Sequence, residues 1–177
     1  YALPTLTTAS GQYTNAVFGF TNMIVKLLAD WQPAGMVVAF DKGKKTFRNE
    51  EYVDYKAQRK PTPTELSEQF PIAREVLEAM GINVLELEGF EADDIIGTLA
   101  AQASPRQEFL IVTGDRDALQ LVNEHVHVLL TKKGISEFEE VDPTVLTFSY
   151  GLTPAQVIEM KGLMGDASDN IPGIPGV

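Results

Sequence analysis

The sequence Phe-Leu-Ile-Val-Thr-Gly-Asp-Arg-Asp at residues 109–117 joins an apolar run directly to two carboxylates. The apolar run predicts a short strand that is buried on both faces, as in a parallel sheet. Gly114 permits a tight exit from this strand, and Asp115 and Asp117 follow at once. Because α/β sheets bind ligands at the carboxyl ends of their strands, we expect both carboxylates to face a ligand.

Helical and strand patterns alternate along the rest of the chain. Helices are predicted at residues 15–31, 64–80, 91–103, 144–150 and 154–164, with a short one after Asp117, and further strands at residues 36–40, 82–87, 126–130 and 135–141. Thr64 is expected to cap its helix and Gly81 to end it. The alternation predicts an α/β fold with a mostly parallel central sheet flanked by helices.

Composition limits the classes of protein that fit. The chain has 177 residues, 44% of them apolar, which is enough for one sizeable core. It has no cysteine, so disulfides and thiolate metal sites are excluded. His125 and His127 alternate with valines and are expected to face solvent. No run of about 18 apolar residues and no signal peptide are present, which indicates a cytoplasmic protein without a membrane partner.

Positive charge is concentrated in one segment of an acidic chain. The formal net charge is −11, yet seven of the fourteen Lys and Arg residues lie within residues 42–60. With three acidic residues this segment has a net charge of +4, which leaves −15 for the rest. The segregation predicts a segment that binds phosphate groups beside an acidic site. The alternative is a solvated charged loop.

Carboxylates occur at four separated places, each after an apolar stretch or at the start of a helix. They are Asp41, Glu91, Asp93, Asp94, Asp115, Asp117, Asp166 and Asp169. If the fold brings them together, divalent cations must offset their charge, and oxygen ligands suit Mg²⁺ or Mn²⁺ rather than Zn²⁺. Pairs of such ions are common in phosphodiester chemistry. The pattern therefore predicts a metal-dependent nuclease.

These carboxylates also have ordinary structural interpretations. Asp41 could form a turn, and Asp166 and Asp169 lie in a turn-rich stretch. The acidic residues of positions 91–94 are favoured by the dipole at a helix start. Three of them in four residues exceed what a cap requires.

Five sequence blocks in register resemble a known family. They are Ala39-Phe-Asp41 with Thr46-Phe-Arg48, Tyr55-Lys-Ala-Gln-Arg59, Glu91-Ala-Asp-Asp-Ile-Ile-Gly97, Thr113-Gly-Asp-Arg-Asp117 and Gly165-Asp-Ala-Ser-Asp-Asn-Ile-Pro-Gly173. Across essentially the whole chain they resemble the 5′-nuclease domain of bacterial DNA polymerase I, which is related to flap endonucleases in the PIN-like superfamily. The resemblance implies a PIN-like α/β fold and a divalent-metal-dependent 5′→3′ exonuclease and flap endonuclease that acts in replication and repair.

The resemblance also implies a role for each carboxylate. Two Mg²⁺ or Mn²⁺ ions would be bound. Asp41, Glu91, Asp93 and Asp115 would belong mainly to the first metal cluster, with Asp94 nearby, and Asp117, Asp166 and Asp169 would surround the second.

The basic segment would contact DNA. Lys56 and Arg59 would stand in a helical arch and act as catalytic residues at the scissile phosphate. Arg48 would hold phosphate, and Tyr52 or Tyr55 would stack on the unpaired terminal base. Lys44 and Lys45 are the remaining residues that we expect to bind DNA.

The family pattern further implies a domain organisation. Residues 1–164 would form the catalytic domain, with residues 42–63 as the arch, and residues 165–177 would begin a helix-hairpin-helix region that binds duplex DNA, with K⁺ as a candidate ion. Family members begin with a strand that ends in a metal-binding Asp, and this chain begins after it. We expect a monomer with a polymerase domain in the same parent chain.

Three other functions compete with this interpretation. One is a non-catalytic module that binds flaps or junctions, and another is a standalone 5′-nuclease without a polymerase. A third is an aspartyl-phosphate phosphatase, which needs a nucleophilic Asp with a second Asp nearby. The sequence Asp41-Lys-Gly-Lys44 lacks that pair, so this alternative ranks last.

Overall fold

The computed structural model describes residues 4–132 and 137–176. The helices are α1 (Asn15–Trp31), α2 (Phe47–Glu51), α3 (Thr64–Ser67), α4 (Gln69–Ala79), α5 (Ala92–Ala101), α6 (Pro143–Tyr150) and α7 (Pro154–Met164), with a 3₁₀ helix at Arg116–Leu121. The strands are β1 (Val37–Ala39), β2 (Lys42–Thr46), β3 (Asn83–Leu85), β4 (Glu88–Gly89), β5 (Phe109–Thr113), β6 (Val126–Thr131), β7 (Phe138–Val141), β8 (Gly165–Asp166) and β9 (Ile171–Pro172).

The described residues form two compact units. The first comprises the described parts of Tyr1–Phe40, Lys60–Leu85 and Thr131–Glu137, and the second those of Asp41–Arg59, Glu86–Leu130 and Phe138–Val177. The predicted domain boundary at residue 165 falls inside the second unit and stays a prediction.

The first unit packs α1 and α4 around a small core. Ile24, Leu77 and Ile82 are its buried residues. β1 and β3 pair in parallel, with Val38 opposite Val84. The apolar spacing at residues 15–31 predicts α1 with the bounds that the structure has.

The predicted helix at residues 64–80 is divided into α3 and α4. Pro71 has no backbone N–H to donate to the carbonyl of Ser67, so the hydrogen-bonding pattern is interrupted there. Thr64 is the first helical residue, and Pro63 takes the cap position that we expected for Thr64.

The second unit contains the larger core and a three-stranded sheet with the strand order β5-β6-β7. β5 and β6 are parallel, from Phe109 opposite Val126 to Thr113 opposite Leu130. The fully buried side chains of this core include Val126, Val128, Val141 and Leu146. The 3₁₀ helix and α7 pack beside each other. Residues 133–136, which include part of the predicted strand at 135–141, lie outside the described residues.

The strands pair in four groups, and the pairs β1–β3, β2–β4 and β5–β6 are parallel. Helices alternate with these parallel strands along the chain, which confirms the α/β class. The described strands form these four separate groups where the sequence predicts one central sheet.

Residues 42–63 contain β2 and the short helix α2, followed by turns. Lys56 has a positive φ of 54°, which is incompatible with a continuing α-helix. Lys56 and Arg59 therefore lie in turns, and α2 is the helix that the structure places in the predicted arch segment.

Within residues 4–132 and 137–176, no helix combines the length and the apolar character that crossing a membrane requires.

Candidate functional site

The N-terminus of α5 is the centre of the candidate site. The backbone N–H of Ala92, the first residue of α5, donates to Asp41 Oδ1 at 2.7 Å. Glu91 caps the helix, and its own N–H donates to Asp94 Oδ2 at 2.9 Å. β2 begins directly after Asp41 and pairs with β4, which ends just before α5. This pairing holds Asp41 beside the 91–94 acidic run.

Arg48 and Asp94 form a bidentate ion pair. Arg48 Nη1 donates to Asp94 Oδ2 at 2.8 Å, and Nη2 donates to Oδ1 at 2.7 Å. The hydrogen bonds from Arg48 hold the pKa of Asp94 below its usual value. Hydrogen bonding to Asp94 likewise raises the pKa of Arg48. Asp94 therefore serves both as a helix cap and as the partner of Arg48.

Asp93 lies among negative charges. Burial of its carboxylate, together with the charges of Asp115, Asp41 and Glu91, raises the pKa of Asp93. We call Asp41, Glu91, Asp93 and Asp115 the first carboxylate group, because Asp93 is within electrostatic range of the other three.

Asp115 caps the 3₁₀ helix at the carboxyl end of β5. Its Oδ1 accepts the N–H of Asp117 at 2.9 Å, and its own N–H donates to Thr113 Oγ1 at 3.0 Å. Residues 109–117 thus place the two carboxylates at a strand end, as the sequence predicts.

Lys161 joins Asp117 to Asp166. Its Nζ lies 2.8 Å from Asp117 Oδ1 and 2.7 Å from Asp166 Oδ2. The buried Asp117 Oδ1 accepts no hydrogen bond of good geometry, so its contact with Lys161 is best described as an ion pair. The hydrogen bond from Lys161 lowers the pKa of Asp166 far below its usual range, and Ser168 adds to this effect. Burial lowers the pKa of Lys161, but Asp117 and Asp166 raise it overall.

Asp169 completes what we call the second carboxylate group: Asp117, Asp166 and Asp169. Its N–H donates to Asp166 Oδ1 at 3.3 Å. Arg59 Nη2 lies 2.5 Å from Asp169 Oδ1, and the backbone N–H of Lys56 donates to the Asp169 carbonyl at 2.9 Å.

Tyr55 and Lys56 connect the two carboxylate groups. The Tyr55 hydroxyl lies 3.2 Å from Glu91 Oε2 and 3.1 Å from Asp169 Oδ2. Lys56 Nζ donates to both Glu91 oxygens at 2.8 Å and lies 3.7 Å from Asp169 Oδ2. Burial, together with the nearby negative charges, raises the pKa of Tyr55 to about 12. Burial alone would lower the pKa of Lys56, but its hydrogen bonds to Glu91 and Tyr55 raise it overall.

The other residues expected to bind DNA are placed differently. Tyr55 is buried, with 6% of its surface exposed, whereas Tyr52 is 39% exposed. Lys45 is exposed on β2, and the side chain of Lys44 lies outside the part that the structure describes. His127 Nδ1 lies 2.8 Å from Glu140 Oε1, which belongs to neither carboxylate group.

Comparison with known proteins places the chain in a family. Residues 1–151 match the family model described as the 5′-3′ exonuclease, N-terminal resolvase-like domain. The chain belongs to this family. DNA polymerase I of Bacillus caldotenax is 54% identical over 178 residues, and that of Bacillus subtilis (strain 168) is 51% identical over 178 residues. Each match covers 100% of this chain and 20% of the relative, so the chain spans about a fifth of the length of these relatives.

Solved structures support the same fold for this exonuclease-family chain. The T5 5′-exonuclease with bound zinc has a TM-score of 0.71 and 23% identity, over 91% of this chain and 62% of that one. A bacteriophage T5 flap endonuclease complex with DNA and metal ions has a TM-score of 0.69 and 22% identity, over 94% of this chain and 65% of that one.

The two carboxylate groups have the donor chemistry that divalent metal ions require. Every candidate ligand is a carboxylate oxygen, the donor that Mg²⁺ and Mn²⁺ prefer. Among the described residues, no three His, Cys, Asp or Glu side chains are arranged closely enough to hold an ion as they stand. Basic side chains instead contact carboxylates of both groups: Lys56 binds Glu91, and Arg59 and Lys161 bind the second carboxylate group. Arg48 binds the neighbouring Asp94.

Lys161 is the site residue that the sequence did not reveal. It lies inside the predicted helix at residues 154–164, where a single lysine is an ordinary solvent-facing residue. The available signal was its position five residues before Asp166, on the last turns of a helix that leads directly into the acidic loop.

Proposed function

We propose that this chain hydrolyses DNA phosphodiester bonds at 5′ ends and flaps, as the N-terminal domain of a DNA polymerase I. The family membership and the relatives at 51–54% identity support this assignment. As parts of the same proposal, a polymerase domain follows in the parent chain, the protein is monomeric, and it acts in replication and repair in the bacterial cytoplasm.

One observation carries the catalytic part of the proposal. Asp41, Asp93 and Asp115 come from three separated sequence blocks, yet Asp41 Oδ1 accepts the N–H of Ala92, the residue before Asp93, at 2.7 Å. The charges of Asp41 and Asp115 also raise the pKa of Asp93. Like charges brought together without neutralisation are unfavourable, so such a site favours the binding of cations. The first carboxylate group would hold one divalent ion, with Asp94 nearby, and the second group would hold another.

Mg²⁺ or Mn²⁺ bound to these groups would supply an activated water molecule and neutralise charge on the phosphate. The preferred ion in this proposal is Mg²⁺. We also propose that residues 165–177 are the start of a helix-hairpin-helix region, and that this region binds K⁺.

The basic side chains supply the contacts to the substrate. Lys56 and Arg59 already lie against Glu91 and Asp169, so a phosphate bound beside the carboxylates is within their reach. They would stabilise the negative charge that grows on the phosphate during cleavage, which is their catalytic role. Arg48 would hold phosphate bidentately by exchanging its bond to Asp94 for one to the phosphate. Lys44 and Lys45 add positive charge along the same segment.

A 5′-labelled flap substrate, incubated with and without Mg²⁺, tests the function. We expect Mg²⁺-dependent release of short products with a 5′-phosphate, and no product from the Asp115→Asn variant. The rival, a non-catalytic binding module, predicts that flap DNA is bound while no Mg²⁺-dependent product forms. That result with the wild-type protein would exclude the nuclease.

A further inference from the structure

Two exposed phenylalanines lie side by side at the edge of the candidate site. The parallel strands β2 and β4 place Thr46 opposite Gly89, and the next residues are Phe47 and Phe90. Their ring centroids are 5.7 Å apart with an interplanar angle of 52°. Phe47 is 38% exposed and Phe90 is 42% exposed, so part of each ring remains open to solvent.

The position of this pair connects it to the chemistry. Phe90 directly precedes Glu91 of the first carboxylate group. The Arg48 guanidinium lies over the Phe47 ring, 4.6 Å from its centroid, and the same guanidinium is bonded to Asp94. Each strand is therefore followed by an aromatic residue and then by a charged residue of the site.

An exposed aromatic surface beside phosphate-binding cations fits an unpaired nucleobase. Bases stack on aromatic rings without sequence preference, and a neighbouring Arg strengthens such sites. Tyr55 cannot offer an open ring, because it is buried at 6% exposure and its hydroxyl bridges Glu91 and Asp169.

We propose that Phe47 and Phe90 form a stacking platform for an unpaired nucleobase of the DNA strand that carries the 5′ end. The proposal rests on the proposed function and adds a binding site to it. The base stacks on the ring surface that is open to solvent, and Arg48 lies beside it over Phe47. Stacking requires the flat faces of the rings, so an aliphatic side chain of similar size does not replace them.

The test compares two flap DNAs in EDTA, so that no strand is cut: one with normal unpaired nucleotides and one with abasic nucleotides at the same positions. Binding is followed by fluorescence anisotropy. We expect the wild type to bind the normal flap about 5-fold to about 150-fold more tightly than the abasic flap, the range for one stacked base. Phe47→Leu and Phe90→Leu should lower affinity for the normal flap by a similar factor, leaving that for the abasic flap unchanged.

Phe148→Leu is the matched control, because Phe148 is 85% exposed on α6 and is also a single ring. It should bind both DNAs like the wild type, and Phe47→Trp should retain the preference for bases. Thermal unfolding of each variant verifies that it is folded. The comparison of normal and abasic flaps with the wild type tests the platform even if a variant does not fold.

Equal affinity of the wild type for normal and abasic flaps would overturn the platform, as would Leu variants that keep the full preference. In either case, a wild type that still cleaves flaps in Mg²⁺ leaves the proposed function intact. A wild type that neither binds nor cleaves flap DNA would overturn both.

Discussion

Lys56 donates through Nζ to both carboxylate oxygens of Glu91, at 2.8 Å each. A residue that we propose for phosphate contact is thus bonded to a residue that we propose for metal binding. The ammonium group offsets negative charge that a cation would otherwise neutralise. We therefore expect DNA binding and metal binding to involve side chains that are bonded to each other. A substitution at Lys56 should affect the phosphate contact while leaving the metal-binding carboxylates in place.

Replacement of Lys56 by alanine should slow cleavage without abolishing metal binding. The variant loses a positive charge that stabilises the reacting phosphate, for which about a 10²-fold fall in rate is typical. Single-turnover cleavage of a 5′-flap measures the rate, and calorimetry with Mn²⁺ measures metal binding. Lys26→Ala is the control, because Lys26 pairs with Asp30 on α1, in the other compact unit. A Lys56→Ala protein that cuts flaps at the wild-type rate would remove Lys56 from the mechanism.

Replacement of Asp115 by asparagine should abolish cleavage and keep most of the affinity for DNA. The substitution preserves size but removes one negative charge from the first carboxylate group, so it weakens metal binding. We expect a loss of at least about 10²-fold in rate, with a Kd for flap DNA in EDTA close to that of the wild type. Asp30→Asn serves as a control at an exposed carboxylate. Normal cleavage by Asp115→Asn would show that this carboxylate is not needed for metal activation.

The sequence predicted the helices with clear apolar spacing and the carboxylates that follow strands or open helices. α1 and α7 have the predicted bounds: Pro33 follows the end of α1, and α7 lies between its cap Thr153 and Gly165. β2 was not predicted, because the lysines of residues 42–46 hide any strand pattern. Its pairing with β4 is what brings Phe47 to Phe90, so no local pattern could reveal that contact. The ion pair of Lys161 with Asp117 was likewise visible only through tertiary structure.

The ion pair of Arg48 and Asp94 should make stability depend on pH. The pKa of Asp94 is lowered in the folded state, so the pair stabilises the fold fully above the unfolded-state pKa of about 3.9. This contribution is lost as the pH falls through the lower pKa of the folded state. Asp94→Asn should therefore reduce the free energy of unfolding by about 1–2 kcal/mol at pH 7, the range for a charge-assisted bidentate pair.

Urea unfolding in EDTA at pH 7 and at acidic pH measures this dependence. The difference between wild type and Asp94→Asn should shrink as the pH falls below about 3.9, where the carboxylate of the unfolded chain becomes protonated. Asp30→Asn, which alters an exposed i,i+4 pair, should show a much smaller difference at pH 7. A pH-independent loss in Asp94→Asn would indicate that packing, rather than charge, accounts for its effect.

Gly162 and Gly165, only three residues apart, should respond to alanine in opposite directions. Gly165 ends α7 with a φ of 73°, and a Cβ there would overlap the backbone nitrogen of Gly173 and the carbonyl oxygen of Ile171. Gly162 lies within α7, and a Cβ there would meet nothing within 4 Å. Gly162→Ala should raise the free energy of unfolding by about 0.5–1 kcal/mol through helix propensity. Gly165→Ala should lower it by several kcal/mol, since both the backbone conformation and the close approach of the chains are disturbed.

The Gly165 variant should also lose nuclease activity. Its strain falls on the β8–β9 turn, where Asp166 and Asp169 are positioned by hydrogen bonds between Asp166 Oδ1 and the N–H groups of Ser168 and Asp169. Displacing Asp166 separates it from Lys161 and Asp117, so the second carboxylate group loses its arrangement. Thermal unfolding together with flap cleavage, at a temperature where the variant is folded, measures both effects. Wild-type stability and cleavage in Gly165→Ala would show that the backbone contact between Gly165 and Gly173 is not required.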